Sequence, residues 1–271
     1  MNDIKMIVTD LDRTLLRSDA TISAYTAGVL KRCRARGIKV VFATARPLYG
    51  ISAFLEQADI DAAIIQNGAG IYANGALIAE HAIPEDIAGA LYDKLRAAAG
   101  SFACAAQTLN QRFMNRTRAS IVTSFDAVVA AALLQSNNIF EDDTLPKAAF
   151  TTISIRRFPL EAFKPIAEEF PALRYYAITG EDLIDVHAKE ASKWNAAQTV
   201  ARHFGIPIAN VAAFGDDHND IEMLRNCGVG IAVANAIDEA KAAADDICDD
   251  NDNDGAAKRL ARVVLDEEVA T

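Results

Sequence analysis

Short buried strands alternating with helices constrain the fold of this chain more than any other feature. Ile4–Val8 is an apolar run of strand length, and Ser23–Arg36 carries helical periodicity. Ser23 is placed to cap that helix, and Gly37 to stop it. Ile38–Ala43 is a second β-rich run, Pro47 stands where a helix can begin, and Ala62–Ile65 reads as a third buried strand. This β-α-β-α-β order predicts a parallel sheet with right-handed crossovers. Asn74-Gly75, between Ile71–Ala73 and Ala76–Ile78, then marks a tight hairpin.

The pattern changes after Pro84. A helix to about Ala98 leads to short strands near Phe102–Ala106 and Arg112–Met114, then a helix from Ser124 to Gln135. A strand at Phe150–Arg156, a helix at Pro159–Phe170 and strands at Leu173–Ile178 and Leu183–His187 follow. The loop carrying Glu141-Asp142-Asp143 reads as a solvated excursion. From Ala191 the alternation resumes: a helix to Phe204, a strand at Val211–Phe214, a helix through Leu224 and a strand at Val229–Val233. Ile237–Ala244, the short Ile247–Cys248 and a last helix close it. The expected class is α/β: a Rossmann-like parallel-sheet core from residues 1–82 and 187–271, with an inserted α+β cap over 83–186.

At 271 residues the chain is long enough for one large or two smaller cores. A net charge of −10 argues against a nucleic-acid partner, because a surface that tracks phosphates needs a basic balance. The four cysteines (Cys33, Cys104, Cys227, Cys248) lack metal-ligand spacing and read as reduced, mostly buried thiols. The early apolar run is too short for an export signal, and no uncharged apolar stretch reaches membrane length. A soluble, cytoplasmic protein with no membrane partner is the expectation.

Chemistry concentrates in four loops. Asp10-Leu11-Asp12-Arg13-Thr14-Leu15 follows the first strand, so two carboxylates leave the carboxyl edge of the sheet, where open α/β folds put their ligands. One carboxylate can attack while the other handles protons, although such a pair also binds metal or caps a turn. Thr44-Ala45-Arg46 follows the second strand; a strand-end hydroxyl also serves as a helix cap. Ser192-Lys193 opens a helix, a place where lysines are usually solvated. In Gly215-Asp216-Asp217-His218-Asn219-Asp220 three aspartates repel one another, and a divalent cation would relieve them. Loops from separate strands meet along one sheet edge, so their joint appearance outweighs each one alone.

In these motifs and their order the sequence resembles the haloacid dehalogenase-like (HAD) hydrolase superfamily, and more narrowly Cof-type phosphatases with a large α/β cap. Asn67-Gly68 before the hairpin and Asn253-Asp254-Gly255 before the last helix extend the likeness along the chain. Two positions depart from the family pattern: Arg13 and Ala45 stand where it has glycine. The resemblance implies a Mg²⁺-dependent phosphatase of small phosphorylated metabolites, sugar phosphates foremost, working through an aspartyl-phosphate. It implies that Asp10 is the nucleophile and a metal ligand, and that Asp12 is the acid–base group, its carbonyl also on the metal. Leu11, Thr44, Ala45, Lys193 and Asn219 would hold phosphate, Asp216 would complete the metal site, and Asp220 would orient Lys193 or metal-bound water. Arg46 is read as structural at the start of its helix, and Asp217 and His218 receive no role. Arg112, Arg116 and Arg118 form a basic cluster in the insert that could meet a substrate; the insert is expected to close as a lid. A sugar phosphomutase of the same superfamily, or a non-catalytic phosphate- or metal-sensing protein, are the alternatives.

Two further patterns are set aside. Asp250-x-Asp252-x-Asp254-Gly255 begins like a calcium loop, but Ala261 stands where a bidentate Glu is needed. An acidic start to the last helix is the better reading. Gly68-Ala69-Gly70 lacks the rest of a dinucleotide fingerprint.

Overall fold

In a computed structural model, residues 3–99, 102–115, 138–139, 145–177 and 182–265 are described. The chain divides into two compact units, one from Met1–Glu80 with Ser192–Thr271, the other from His81–Ala191. The first unit opens with β1 (Met6–Thr9), α1 (Ala24–Ala35), β2 (Lys39–Ala43), α2 (Ser52–Gln57), β3 (Ala62–Ile65), β4 (Gly70–Ala73) and β5 (Ala76–Glu80). The inserted unit contributes α3 (Glu85–Ala99), β6 (Ala103–Gln107), β7 (Arg112–Met114), β8 (Asn138–Ile139), β9 (Thr152–Arg156), α4 (Leu160–Glu168), β10 (Leu173–Ala177) and β11 (Ile184–Ala188). The first unit resumes with α5 (Lys193–His203), β12 (Val211–Gly215), α6 (Ile221–Asn226), β13 (Val229–Val233), α7 (Asp238–Ala243), β14 (Asp246–Cys248) and α8 (Gly255–Val264).

Eight strands form the core sheet, in the order β14-β13-β12-β1-β2-β3-β4-β5. From β14 to β3 every pairing is parallel, and the hairpin β4–β5 joins antiparallel. The sheet is therefore mixed, an addition to the parallel sheet the alternation predicts. β1 lies between β2 and β12, with Thr9 level with Phe42 and Phe214. All its residues are buried, as a central strand covered on both faces requires. This register carries Asp10, Thr44 and Asp216 off one edge of the sheet.

Local chemistry sets the flanking helices. The Ser23 hydroxyl accepts the Thr26 amide at the start of α1, and Gly37 ends that segment at φ 79°. Ser192 caps α5 in the same way through the Asn195 amide. The helix expected at Pro47 starts later, at Ser52. Pro47 instead opens a 3₁₀ turn over Leu48–Gly50, closed by the Gly50 amide on the Pro47 carbonyl.

Among the described residues the inserted unit has a six-stranded sheet, in the order β10-β11-β9-β6-β7-β8, antiparallel except where β7 meets β8. α3 and α4 bury Leu91, Tyr92, Leu95, Phe163 and Ile166 in a core shared with Ile153, Ile155 and Phe158. Its aromatic rings meet edge to face, as for Phe102 with Phe158 and Phe158 with Phe163. The helix expected at 124–135 and the acidic residues Glu141–Asp143 lie outside the described residues. Among the described residues no helix is long and apolar enough to cross a membrane. All four cysteines are buried and free.

Candidate active site

Asp10 follows the last residue of β1, and its amide still reaches across to the Phe214 carbonyl of β12. Its carboxylate is buried and accepts a hydrogen bond from Lys193 Nζ at 2.6 Å. Lys193 donates equally to Asp220 Oδ1, at 2.7 Å. Lysines on an early helix turn are usually solvated, but Lys193 is fully buried, because two carboxylates from other loops replace its water. Burial alone would lower the ammonium's pKa, but Asp10 and Asp220 outweigh it and hold it above its ordinary value. Burial also pushes the Asp10 carboxyl well above the usual range, with Asp220 and Asp216 adding to it and Lys193 opposing.

The second acidic loop is arranged around Asp220. Its Oδ2 accepts the amides of Asp216 and Asp217, so both oxygens point at nitrogen donors. Asp216 is buried beside it and accepts the Thr14 hydroxyl at 2.9 Å. Burial, followed by the charge of Asp220, pushes Asp216 up to about 7. Carboxylate oxygens of Asp10, Asp216 and Asp220 lie within 4.8 Å of one another. Such hard oxygens, crowded together in a buried site, suit a divalent cation.

The remaining expected groups are distributed around these. Thr44 is fully buried, and its hydroxyl accepts the Arg46 amide at 3.1 Å, leaving its own proton for an anion. Ala45 is exposed in the following bend. The Leu11 side chain is buried, so any contact it makes with an anion comes from its backbone. Asn219 donates to Asn67 Oδ1 at 2.8 Å, which ties the last loop to the one after β3. Gly68, at φ 97°, passes so close to α5 that a Cβ would lie 2.4 Å from the Ser192 carbonyl oxygen. Asp12 is half exposed and meets the guanidinium of Arg46, with Nε to Oδ2 at 2.8 Å and Nη2 to Oδ1 at 2.5 Å. Arg46, which the sequence places as structural at the start of its helix and close to the site, also reaches the first acidic loop.

Arg13 sits at φ 61°, the left-handed region in which glycine is unstrained, which accounts physically for the glycine of the family pattern. Its guanidinium lies 3.9 Å from Asp216 Oδ2, and its carbonyl accepts the Asn235 side-chain amide. Asp252 and Asp254 do not simply cap the last helix. They take hydrogen bonds from Ser18, Arg17 and Thr26, and so fasten the segment that follows the Asp10 loop. Arg112 lies in β7, half-buried, with its Nε unpartnered among the described residues; Arg116 and Arg118 lie outside those residues. Sequence reasoning assigns no role to Thr14 or Asn67, although Thr14 lies inside the first motif and Asn67 directly precedes Gly68.

A family model described as haloacid dehalogenase-like hydrolase matches residues 7–260. The chain is 26% identical over 273 residues to the 5-amino-6-(5-phospho-D-ribitylamino)uracil phosphatase YitU of Bacillus subtilis, covering 94% of this chain and 96% of that protein. A solved HAD subclass IIB sugar phosphatase superposes with a TM-score of 0.80 at 25% identity, covering 96% of this chain and 99% of the other. The chloroplastic Endoribonuclease YBEY of Arabidopsis thaliana is 28% identical over 94% of this chain, but the chain spans only 46% of that protein. The endoribonuclease activity in its name is therefore not carried over. YitU and the subclass IIB structure, each matched along nearly its full length, are phosphatases, and phosphatase activity on a phosphorylated substrate follows for this chain. Matched across nearly all its length, the chain belongs to the haloacid dehalogenase-like hydrolases.

Proposed function

We propose that this phosphatase hydrolyses small phosphorylated metabolites, sugar phosphates foremost, with Mg²⁺ as its cation and through an aspartyl-phosphate on Asp10. The observation that carries this reading is the buried contact of Asp10 with Lys193, within reach of Asp216 and Asp220. The substrate class draws on the subclass IIB sugar phosphatase and on a relative named for a phosphorylated ribityl compound.

Attack by one anion on another is opposed mainly by charge. Lys193 offsets that charge from a fixed position, because Asp220 and Asp10 hold its ammonium. Asp10 Oδ attacks phosphorus while the bond to the leaving oxygen breaks, and Asp12 gives that oxygen a proton. Asp12 then takes a proton from the attacking water, and the electrons of the acyl-phosphate bond return to Asp10. The Thr44 hydroxyl, the amides of Leu11 and Ala45, Lys193 and Asn219 hold the phosphoryl oxygens.

Asp10, Asp216 and the Asp12 carbonyl would hold the cation, since the oxygens of Asp220 already serve Lys193 and two amides. When bound, Mg²⁺ supplies positive charge to the phosphoryl oxygens and keeps the carboxylates ionised. Substrate selection is assigned to the inserted unit, because all four motifs lie outside it and Arg112 lies within it.

The direct test is phosphate release from a panel of phosphorylated metabolites and p-nitrophenyl phosphate. Release should stop in EDTA, return with Mg²⁺ and favour sugar phosphates. Undiminished turnover in EDTA, or no release from any phosphomonoester with Mg²⁺, would refute the proposal.

A further inference from the structure

The Asp12–Arg46 pair joins two partly exposed side chains through a two-pronged contact. The Asp12 side chain is 48% exposed and that of Arg46 32%, and exposed ion pairs contribute little net free energy. Yet Arg46 is held on several sides. Its Nη1 donates to the Gly50 carbonyl at 3.3 Å, its guanidinium lies 5.3 Å from the centre of the Phe54 ring, and its amide donates to Thr44 Oγ1. A side chain anchored this way presents a preorganised two-pronged donor, and both prongs meet the two oxygens of Asp12.

We infer that Arg46 is the positioning residue of the acid–base aspartate, fixing the Asp12 carboxylate through both oxygens and yielding one of them when that oxygen takes a proton. This rests on the acid–base reading of Asp12 given above. The chemistry of the fork explains why one prong must yield. A guanidinium only donates, so an oxygen facing it carries no proton. With both oxygens engaged, the fork fixes the plane of the Asp12 carboxyl group. To act as the acid of the first step it must free one oxygen, carry the proton there, and pass it to the leaving oxygen as the P–O bond breaks. The other prong meanwhile keeps the carboxyl group from swinging into solvent. The fork therefore orients Asp12 in both halves of the reaction without touching phosphorus.

The test compares Arg46→Ala, Asp12→Asn and the double variant on an alkyl phosphate and on p-nitrophenyl phosphate, whose leaving group needs little protonation. Arg46→Ala should lower kcat/KM for the alkyl phosphate by about 30–100-fold, part of the usual worth of acid–base catalysis, and by markedly less for p-nitrophenyl phosphate. Inhibition by inorganic phosphate should weaken far less than kcat falls, since a positioning residue does not bind the phosphoryl group. In the Asp12→Asn background the Arg46 change should cost less than about threefold, because residues acting as one unit are non-additive.

Equal losses on both substrates, weakened phosphate inhibition matching the fall in kcat, or a full loss in the double variant would each overturn the assignment. If Asp12→Asn alone loses equally on both substrates, the acid–base reading itself fails, an outcome read separately from Arg46. Should Arg46→Ala not fold, Arg46→Lys gives the same comparisons with smaller amplitude.

Discussion

Gly215 faces the Asp220 side chain so closely that a methyl group on its Cα would lie 2.4 Å from Asp220 Cβ and 2.8 Å from its Oδ2. Gly215→Ala should therefore push Asp220 away and leave Lys193 with one fixed partner. Overpacking of this kind costs about 1–3 kcal/mol, and a misplaced catalytic group about 100-fold in rate. The check is kcat beside a thermal melt; unchanged kcat in the folded variant would show that the position of Asp220 is unimportant.

Asp10→Asn keeps the shape of the side chain but cannot form an acyl phosphate. Turnover should disappear while the fold persists, and acid-quenched protein should no longer carry the added mass of a phosphoryl group. Wild-type-like turnover, once deamidation back to Asp is excluded by mass, would remove Asp10 from the nucleophile role.

Asp216→Ala should weaken Mg²⁺ binding by more than about tenfold, since it removes a ligand rather than a supporting contact. Without metal the same variant should melt at or above the wild-type temperature. The lost carboxyl is one that burial and Asp220 push up to about 7, so at higher pH the wild type carries an unfavourable buried charge. Calorimetric titration with Mg²⁺ and melts in EDTA read the two effects independently; wild-type affinity in the variant would place the metal elsewhere.

Far from this edge, buried Asp61 accepts Arg34, Lys39 and the Val40 amide. Burial opposes its ionisation, but these donors outweigh it and hold the carboxyl below its ordinary value. A carboxyl depressed in the folded state stabilises above its unfolded pKa, and the benefit fades as pH falls through the folded one. Asp61→Asn should cost about 1.5–3 kcal/mol near neutral pH, the range for hydrogen bonds to a charged group. The gap to wild type should close below about pH 4. Denaturant melts across that range check it, and a gap independent of pH would contradict the linkage.

In the inserted unit, Arg112→Ala should lower kcat/KM for a sugar phosphate more than for p-nitrophenyl phosphate. Arg112 is half-buried in β7 with its Nε buried and unpartnered among the described residues, and it belongs to the basic cluster read from the sequence. Equal values for both substrates would make Arg112 a packing residue.

Most of the scaffold was legible because its signals are local. The run Ala62–Ile65 is β3 residue for residue, Val229–Val233 is β13, and Ser23 caps α1 through its own hydroxyl as its type and place imply. The loops were legible as chemistry but not as contacts. Nothing near Lys193 in sequence says that it is buried, since its partners lie 183 and 27 positions away. Arg46 looked like a helix-start residue because Pro47 follows it. The fork to Asp12 depends on β1 and β2 lying side by side with their ends level, a property of the sheet rather than of either segment. The antiparallel hairpin within the core sheet follows from its tight turn, and only the strand order places it at the edge.

The position of β1 between β2 and β12 has a consequence for how the protein comes to exist. Lys193 leaves the ribosome 183 residues after its partner Asp10. At roughly 5–20 residues per second, the nascent chain carries Asp10 without the Lys193 ammonium for on the order of ten seconds or more. Throughout that interval one edge of β1 has no β12 to pair with, and exposed strand edges invite association with other chains. The inserted unit, drawn from consecutive residues, is free to complete its own sheet in the meantime. The contact between Asp10 and Lys193 therefore cannot form until the whole inserted unit has been synthesised, which ties assembly of this sheet edge to completion of the segment between its two halves.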